Sequence, residues 1–170
     1  MRGKDKHVLI FPLPALGNVN PMLQLAEILS VSNIHVTFLN THHMHRRLLH
    51  VAADIQSRCP TLHFETFHDG VPDDHPRLGG DMDEFFNHVK FHGALKLREL
   101  CSMENPAKPR ITSIIGDGIF GDITCDIGEE FGLPIIHFRT SSACSFWSYL
   151  SVPKILQTNQ LLIRGISLFY

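Results

Sequence analysis

Short apolar runs rich in β-branched residues alternate along this chain with stretches of helical periodicity. A compact apolar run predicts a strand, and apolar residues every three to four positions predict a helix. The predicted strands are residues 7–12, 34–39, 61–67, 111–115 and 135–138, and the predicted helices are residues 21–31, 43–56, 82–103, 124–131 and 142–150. Such alternation is typical of parallel sheets, because a crossover helix returns the chain before each new strand. The sequence predicts an α/β fold, a parallel sheet with helices on both faces.

The stretch from Phe11 to Leu23 joins the first predicted strand to the first predicted helix. Asn20 followed by Pro21 predicts a helix start, since an Asn side chain can cap the first turn and Pro fits the first helical position. Residues 12–19 are then a loop at the carboxyl end of a strand, where open α/β sheets bind ligands. The loop has neither G-x-G-x-x-G nor a Gly-Lys-Ser/Thr ending, so a nicotinamide or triphosphate site of the usual kind is not predicted.

Composition narrows the class of protein. A length of 170 residues suits one domain, and a net charge of -2 gives no electrostatic reason to expect nucleic acid or an anionic membrane as partner. No run approaches the roughly 18 apolar residues of a membrane span, and prolines interrupt the apolar run after the basic N-terminus. The four cysteines are widely spaced without a C-x-x-C pair, which favours reduced thiols. We expect a cytoplasmic protein.

Two groups of residues could suggest a bound metal. His42, His43 and His45 stand at a predicted helix start, and the segment Asp69–His75 lies in a predicted loop over residues 68–81. No Cys or carboxylate completes the first group, and the carboxylates of the second lack the spacing of a calcium loop. A solvated helix end and a surface loop are the favoured interpretations, and no metal site is predicted.

The last ten residues differ from the rest of the chain. Residues 161–170 are apolar and aromatic, with no polar tail, whereas exposed chain ends are normally polar. The expected organisation is one domain over residues 1–160 and a divergent tail over residues 161–170, in a chain that stops where a larger protein would continue.

The segment Pro14–Met22 resembles the P-A-Q-G-H-[IV]-N-P-M motif near the start of plant family 1 UDP-dependent glycosyltransferases. The resemblance continues in the family's order and spacing through six further segments: Asn40-Thr41, Arg46–Leu48, Asp69–His75, Asp117-Gly118, Glu129–Pro134 and Phe138–Cys144. One such segment would be weak, but their common register is specific. Within this family, the sequence most resembles enzymes that glucosylate iridoids and related terpenoids.

This resemblance implies a Rossmann-like domain, the N-terminal half of a GT-B fold, which holds the acceptor, with the C-terminal donor domain absent. It implies a UDP-sugar donor, with glucose as the expected sugar, and transfer to a hydroxyl or carboxyl of a small plant metabolite such as a terpenoid or phenolic. No cofactor or metal is implied. A full-length relative is a further candidate partner.

The resemblance also implies site residues, and one of them departs from the family. The family's His, the general base on the acceptor hydroxyl, is replaced here by Asn18, while Asp117 stands at the position of the base's partner. A carboxamide has no basic lone pair near pH 7, and losing a general base typically costs on the order of 10²–10⁴ in rate. Thr140 aligns with a residue that contacts the donor sugar.

Five residues are candidates for acceptor binding, and all of them except Leu16 have a plainer alternative. Phe85 is either core or pocket wall, and Arg139 either pairs with an acidic acceptor or is an exposed basic residue. The candidates are Leu16, Phe85, Arg139, Phe146 and Trp147. Phe146 and Trp147 line the acceptor cleft or simply pack.

The family's donor-binding box, with its H-C-G-W-N-S core, is missing from the sequence, in which Trp147 is the only Trp. This chain alone is therefore predicted not to transfer sugar. The alternatives are a non-catalytic small-molecule-binding or regulatory module, and a short-lived product without a function of its own.

Overall fold

The structure, a computed structural model, describes residues 6–79, 81–104 and 108–158, with only the backbone at residues 50 and 51. Its strands are β1 His7–Phe11, β2 His35–Thr41, β3 Leu62–Phe67, β4 Ser113–Asp117 and β5 Ile135–Phe138. Its helices are α1 Leu16–Val31, α2 His42–Arg58, α3 Met82–Ser102, α4 Gly121–Phe131 and α5 Ala143–Gln157. The chain divides into two compact units, Met1–Thr140 and Ser141–Tyr170.

The five strands form one parallel sheet in the order β3-β2-β1-β4-β5. Strand β1 lies at the centre, where Val8 pairs with Val36 of β2 on one side and with Ser113 of β4 on the other. The chain therefore builds outward from β1 through β2 to β3 and then crosses back to the other side of β1. This reversal is the topological switch point at which such sheets bind ligands. The predicted parallel α/β fold is confirmed.

Hydrophobic clusters cover both faces of the sheet. Side chains along a strand alternate between faces, so Val8 and Ile10 of β1 pack with α1 and α2, whereas Leu9 and Phe11 pack with α3 and α4. Strand β1 is buried at every position. Burial on both faces explains why its sequence is nearly continuous in apolar residues.

Helix α1 begins five residues earlier than the sequence predicted. Its first turn opens at Leu16, where the N–H groups of Asn18 and Val19 both donate to the carbonyl of Ala15 (2.9 and 2.8 Å). Pro21 consequently lies inside the helix and removes one backbone hydrogen bond. Complete burial of Val19 anchors the extra turn, so packing outweighs the local preference for starting at Asn20. The consequence is that Leu16 and Asn18 lie on a helix and not in a loop.

The segment between β3 and α3 is organised by one buried ion pair. The guanidinium Nε of Arg77 donates to Oδ2 of Asp69 at 2.9 Å, and its Nη1 donates to the carbonyl of His75 at 3.0 Å. Arg77 has a positive φ of 54°, which is unusual for a residue with a side chain. These bonds to the guanidinium hold the strained backbone in place. Asp81 then caps α3 by accepting from the N–H groups of Asp83 and Glu84.

Helix α5 makes up most of the described part of the second unit. Ser142 caps it, because its hydroxyl accepts from the N–H of Ser145 at 3.2 Å. The predicted helix from residue 142 thus has its expected start, and it extends to Gln157 with Pro153 inside. The predicted tail over residues 161–170 lies outside the described residues.

The structure can be compared with the sequence for membrane-spanning helices and for the state of the cysteines. Within the described ranges, no helix combines the length and apolar character that crossing a membrane requires. All four cysteines are free, and burial raises the pKa of the Cys101 thiol to about 11.

Candidate functional site

Three polar side chains meet at the carboxyl edge of the sheet, beside the switch point between β1 and β4. Asn18 lies in the first turn of α1, which follows β1, and Asp117 is the last residue of β4. Thr140 lies two residues after the end of β5. Because parallel strands present their carboxyl ends at the same edge, residues far apart in the chain converge here.

The amide of Asn18 links the other two residues. Its Nδ2 donates to Oδ2 of Asp117 at 2.8 Å and to the hydroxyl oxygen of Thr140 at 2.8 Å. A carboxylate only accepts hydrogen bonds, so the NH₂ group and not the carbonyl oxygen must face Asp117. Both amide protons are thereby used. The Oδ1 of Asn18 is an acceptor that bonds to none of the described residues.

The carboxylate of Asp117 is fixed on both of its oxygens. The side chain is buried at 3% exposure, and Oδ1 accepts from the N–H of Ile119 at 3.2 Å while Oδ2 accepts from Asn18. A buried carboxylate held in this way orients the group that hydrogen-bonds to it. The site therefore holds a fixed carboxylate next to an amide, and the amide of Asn18 cannot remove a proton near pH 7.

Gly118 follows Asp117 directly, in a motif that assigns no role to this glycine. A Cβ atom built on Gly118 would lie 2.4 Å from Nε of Arg139, so the Arg139 side chain passes directly over this glycine. The exposed Arg139 is thus placed beside the residue that follows Asp117. The sequence signal for such a close approach is a glycine directly after a strand, because glycine has no Cβ.

Leu16 and Phe85 have different surroundings, although both were predicted to bind acceptor. Leu16 is 40% exposed and lines a cavity of about 210 Å³ at the carboxyl edge. Phe85 is fully buried in the core cluster with Leu9 and Phe11, which fits the core alternative and leaves no surface for a ligand.

Phe146 and Trp147 lie in the first turn and a half of α5, within the second unit. Ser142 accepts the N–H of Phe146 at 3.0 Å through its carbonyl, as expected at a helix start. Their assignment to an acceptor cleft stays a prediction.

Two acidic residues of the loop pair with arginines. Asp69 pairs with the buried Arg77, and Asp73 pairs with Arg46 at 2.9 Å on the surface. Among the residues that the structure describes, no group of three or more His, Cys, Asp or Glu side chains is placed to hold a metal ion.

The five-stranded parallel sheet has the Rossmann-like fold that is found in GT-B UDP-glycosyltransferases. One similar solved structure is UDP-glucose:anthocyanidin 3-O-glucosyltransferase in complex with UDP. Its TM-score is 0.72 at 22% identity, over 99% of this chain and 37% of that chain. At this identity the likeness establishes the fold.

Sequence relatives give the family. The chain is 37% identical over 167 residues to 7-deoxyloganetic acid glucosyltransferase of Catharanthus roseus, covering 94% of this chain and 34% of that protein. It is 40% identical over 154 residues to mogroside I-A1 synthase of Siraitia grosvenorii, covering 91% and 29%. No protein-family model matches the chain.

The chain is therefore homologous to plant UDP-glycosyltransferases, which confirms the resemblance found in the sequence. It spans about a third of the length of the relatives it matches.

Proposed function

We propose that this chain is the acceptor-holding domain for glycosyl transfer from a UDP-sugar, and that it does not transfer sugar by itself. The observation that carries the proposal is the hydrogen-bonded set of Asn18, Asp117 and Thr140 at the switch point of a GT-B-class sheet. The relatives are plant glucosyltransferases that act on small metabolites, which supports glucose as the sugar and a small plant metabolite as the acceptor.

The proposed reaction joins an acceptor oxygen to the anomeric carbon as the bond from that carbon to UDP breaks. The hydroxyl proton must leave the acceptor during this step. With a histidine in place of Asn18, one ring nitrogen would donate to Asp117 and the other would take that proton. With Asn18, the free Oδ1 can accept a hydrogen bond from the acceptor hydroxyl and position it, but the proton has no base to move to.

Thr140 gives the site a second polar contact. Its oxygen accepts from Asn18, which leaves its own O–H available to donate. We assign this proton to the donor sugar or its phosphates, which would place the two substrates on either side of the Asn18 amide. Residues 1–160 would act as one acceptor domain in the cytoplasm.

A fusion tests the assignment of the base. The chain is joined to the C-terminal part of the Catharanthus roseus 7-deoxyloganetic acid glucosyltransferase and assayed with UDP-glucose and 7-deoxyloganetic acid. We expect the Asn18→His fusion to be faster than the unsubstituted fusion by about 10²–10⁴. Adding Asp117→Asn to the Asn18→His fusion should remove most of that gain. Equal rates for the unsubstituted and Asn18→His fusions would show that this position does not supply the base.

A non-catalytic binding module is the second candidate, favoured by the same unused Oδ1 of Asn18. A site that accepts a hydrogen bond without removing a proton binds hydroxyl compounds and leaves them unchanged. For such a module, small terpenoid alcohols should raise the melting temperature of the unfused chain, and Asn18→His should give no rate increase in the fusion.

A further inference from the structure

A cavity of about 210 Å³ opens at the carboxyl edge, on the β2 side of the Asn18 site. Three separate parts of the chain form its walls: residues 14–16 before and at the start of α1, the first turns of α2, and residues 76–78. Pro14 and Met44 are buried and give the cavity an apolar floor. Complete ligand pockets are roughly 300–1,000 Å³, so this cavity has the size of a subsite for one end of a molecule.

The charged groups around the cavity leave one positive charge uncompensated. Arg77 is neutralised by Asp69, and Arg46 points outward to Asp73. His43 lines the cavity, and burial followed by the charge of Arg77 lowers its pKa, so it is neutral at pH 7. Arg47 also lines the cavity, and none of the described residues forms a hydrogen bond or an ion pair with it.

We propose that this cavity is a subsite for the carboxylate-bearing end of a small apolar acceptor, with Arg47 as the partner of the carboxylate. The inference rests on the proposed function, since it treats the ligand as the acceptor. A guanidinium binds a carboxylate through two parallel N–H donors, and the apolar floor of the cavity would contact the hydrocarbon part of the ligand. A single uncompensated charge matches a monoanion.

The subsite and the reacting position both include a residue from the first turn of α1. Leu16 forms part of the cavity wall and lies two residues before Asn18 on the same helical turn. An acceptor with its acid end at Arg47 would have to pass around the N-terminal end of α1 to present a hydroxyl to Oδ1 of Asn18, because positions two apart lie about 200° apart around a helix. Acids with a hydroxyl at the far end of a compact frame are the substrate class that this arrangement selects.

Arg46 provides a matched control. It is the preceding residue on the same helix and carries the same charge, but it is held by Asp73 and is absent from the cavity lining. A substitution at either arginine changes the net charge equally, so a difference between the two variants reports the cavity and not the general field of the protein.

Binding to the complete 170-residue chain tests the proposal without turnover. The isotope-labelled chain is titrated at pH 7.5 with cyclohexanecarboxylate, with the matched alcohol cyclohexylmethanol and with inorganic phosphate, and amide shifts are followed by NMR. We expect the carboxylate to shift residues 14–16, 43–47 and 76–78 and to bind about tenfold or more tightly than the alcohol. Arg47→Gln should abolish that preference, and Arg46→Gln should preserve it.

Several results would overturn the subsite: no binding, equal binding of acid and alcohol, an unchanged preference in Arg47→Gln, or phosphate binding as tightly as the acid. The last would indicate a site for any anion. This experiment is independent of the fusion assay. Acid binding without a gain from Asn18→His would contradict the base assignment and leave the subsite standing, and the reverse result would contradict only the subsite.

Discussion

Asn18 and Asp117 are 99 positions apart in the chain, and a single hydrogen bond of 2.8 Å joins them across the switch point of the sheet. The bond is neutral-to-charged, with the amide as donor and a buried carboxylate as acceptor. A substitution at residue 18 should therefore change the free energy of unfolding as well as the reaction rate.

Asn18→Asp should destabilise the protein at neutral pH. It would place a second carboxylate at hydrogen-bond distance from Asp117, which raises the pKa of one member of the pair. A raised pKa in the folded state means that stability is present at low pH and lost as the pH rises through that value. We expect a loss of about 1–2 kcal/mol at pH 7 that shrinks toward pH 4, measured by urea unfolding. Asn18→Ala should show no such pH dependence; a parallel trend in both variants would contradict the explanation.

The two ion pairs of the loop after β3 should differ sharply in their effect on stability. Asp69→Asn leaves the buried guanidinium of Arg77 without its counter-charge, so we expect a loss of about 3 kcal/mol or more in chemical unfolding. Asp73→Asn breaks an exposed pair with Arg46 and should leave the unfolding midpoint almost unchanged. Similar midpoints for the two variants would mean that the Arg77 pair does not hold the loop.

Buried histidines should make the protein less stable in mild acid. Burial is the main cause that lowers the pKa of His7, whose Nε2 lies 2.8 Å from the Thr37 hydroxyl. A lowered pKa in the folded state means that the unfolded chain takes up the proton first, as the pH falls through about 6.5, so stability declines below that value. His7→Gln should make the decline between pH 7 and 5 shallower, as measured by melting temperature. His63→Gln, at a half-buried position, should have a smaller effect.

Two glycine-to-alanine changes should have opposite signs. On helix propensity alone, either change would stabilise by up to about 1 kcal/mol. At Gly93 in α3 the new Cβ would lie 2.7 Å from Cζ of the buried Phe11, so overpacking should exceed that gain and cost about 1–3 kcal/mol net. A Cβ built on Gly17 in α1 would meet no atom within 4 Å beyond its chain neighbours and the adjacent helix backbone, so Gly17→Ala should be stabilising. Calorimetry of both variants would check the signs, and stabilisation by Gly93→Ala would show that Phe11 can move.

Much of the fold could be predicted from local pattern. Strand β5 has the predicted bounds of Ile135–Phe138, and α3 begins at Met82 as predicted. Both have strong local signals: a short apolar run after Pro134, and the capping side chain of Asp81. The start of α1 could not be predicted, because burial of Val19 against the sheet decides it and no property of residues 12–21 alone reports that burial.

The site was predictable only in part. The convergence of Asn18, Asp117 and Thr140 follows from strand order, which a resemblance to a known family supplies and periodicity does not. The cavity beside Arg47 was not anticipated, since its walls come from three segments whose proximity depends on the path of the loop around Arg77. Phe85 shows the converse case, because an aromatic residue at helical spacing is equally consistent with a core position and a pocket wall until its burial is known.

The strand order β3-β2-β1-β4-β5 has a consequence for how the protein assembles. Asn18 comes from the first half of the domain and Asp117 from the second, so their bond forms only after the two halves have docked across β1 and β4. The side-chain amide of Asn18 is therefore a local reporter of global assembly. Its slowed proton exchange with solvent would mark the moment in refolding at which the binding edge becomes complete.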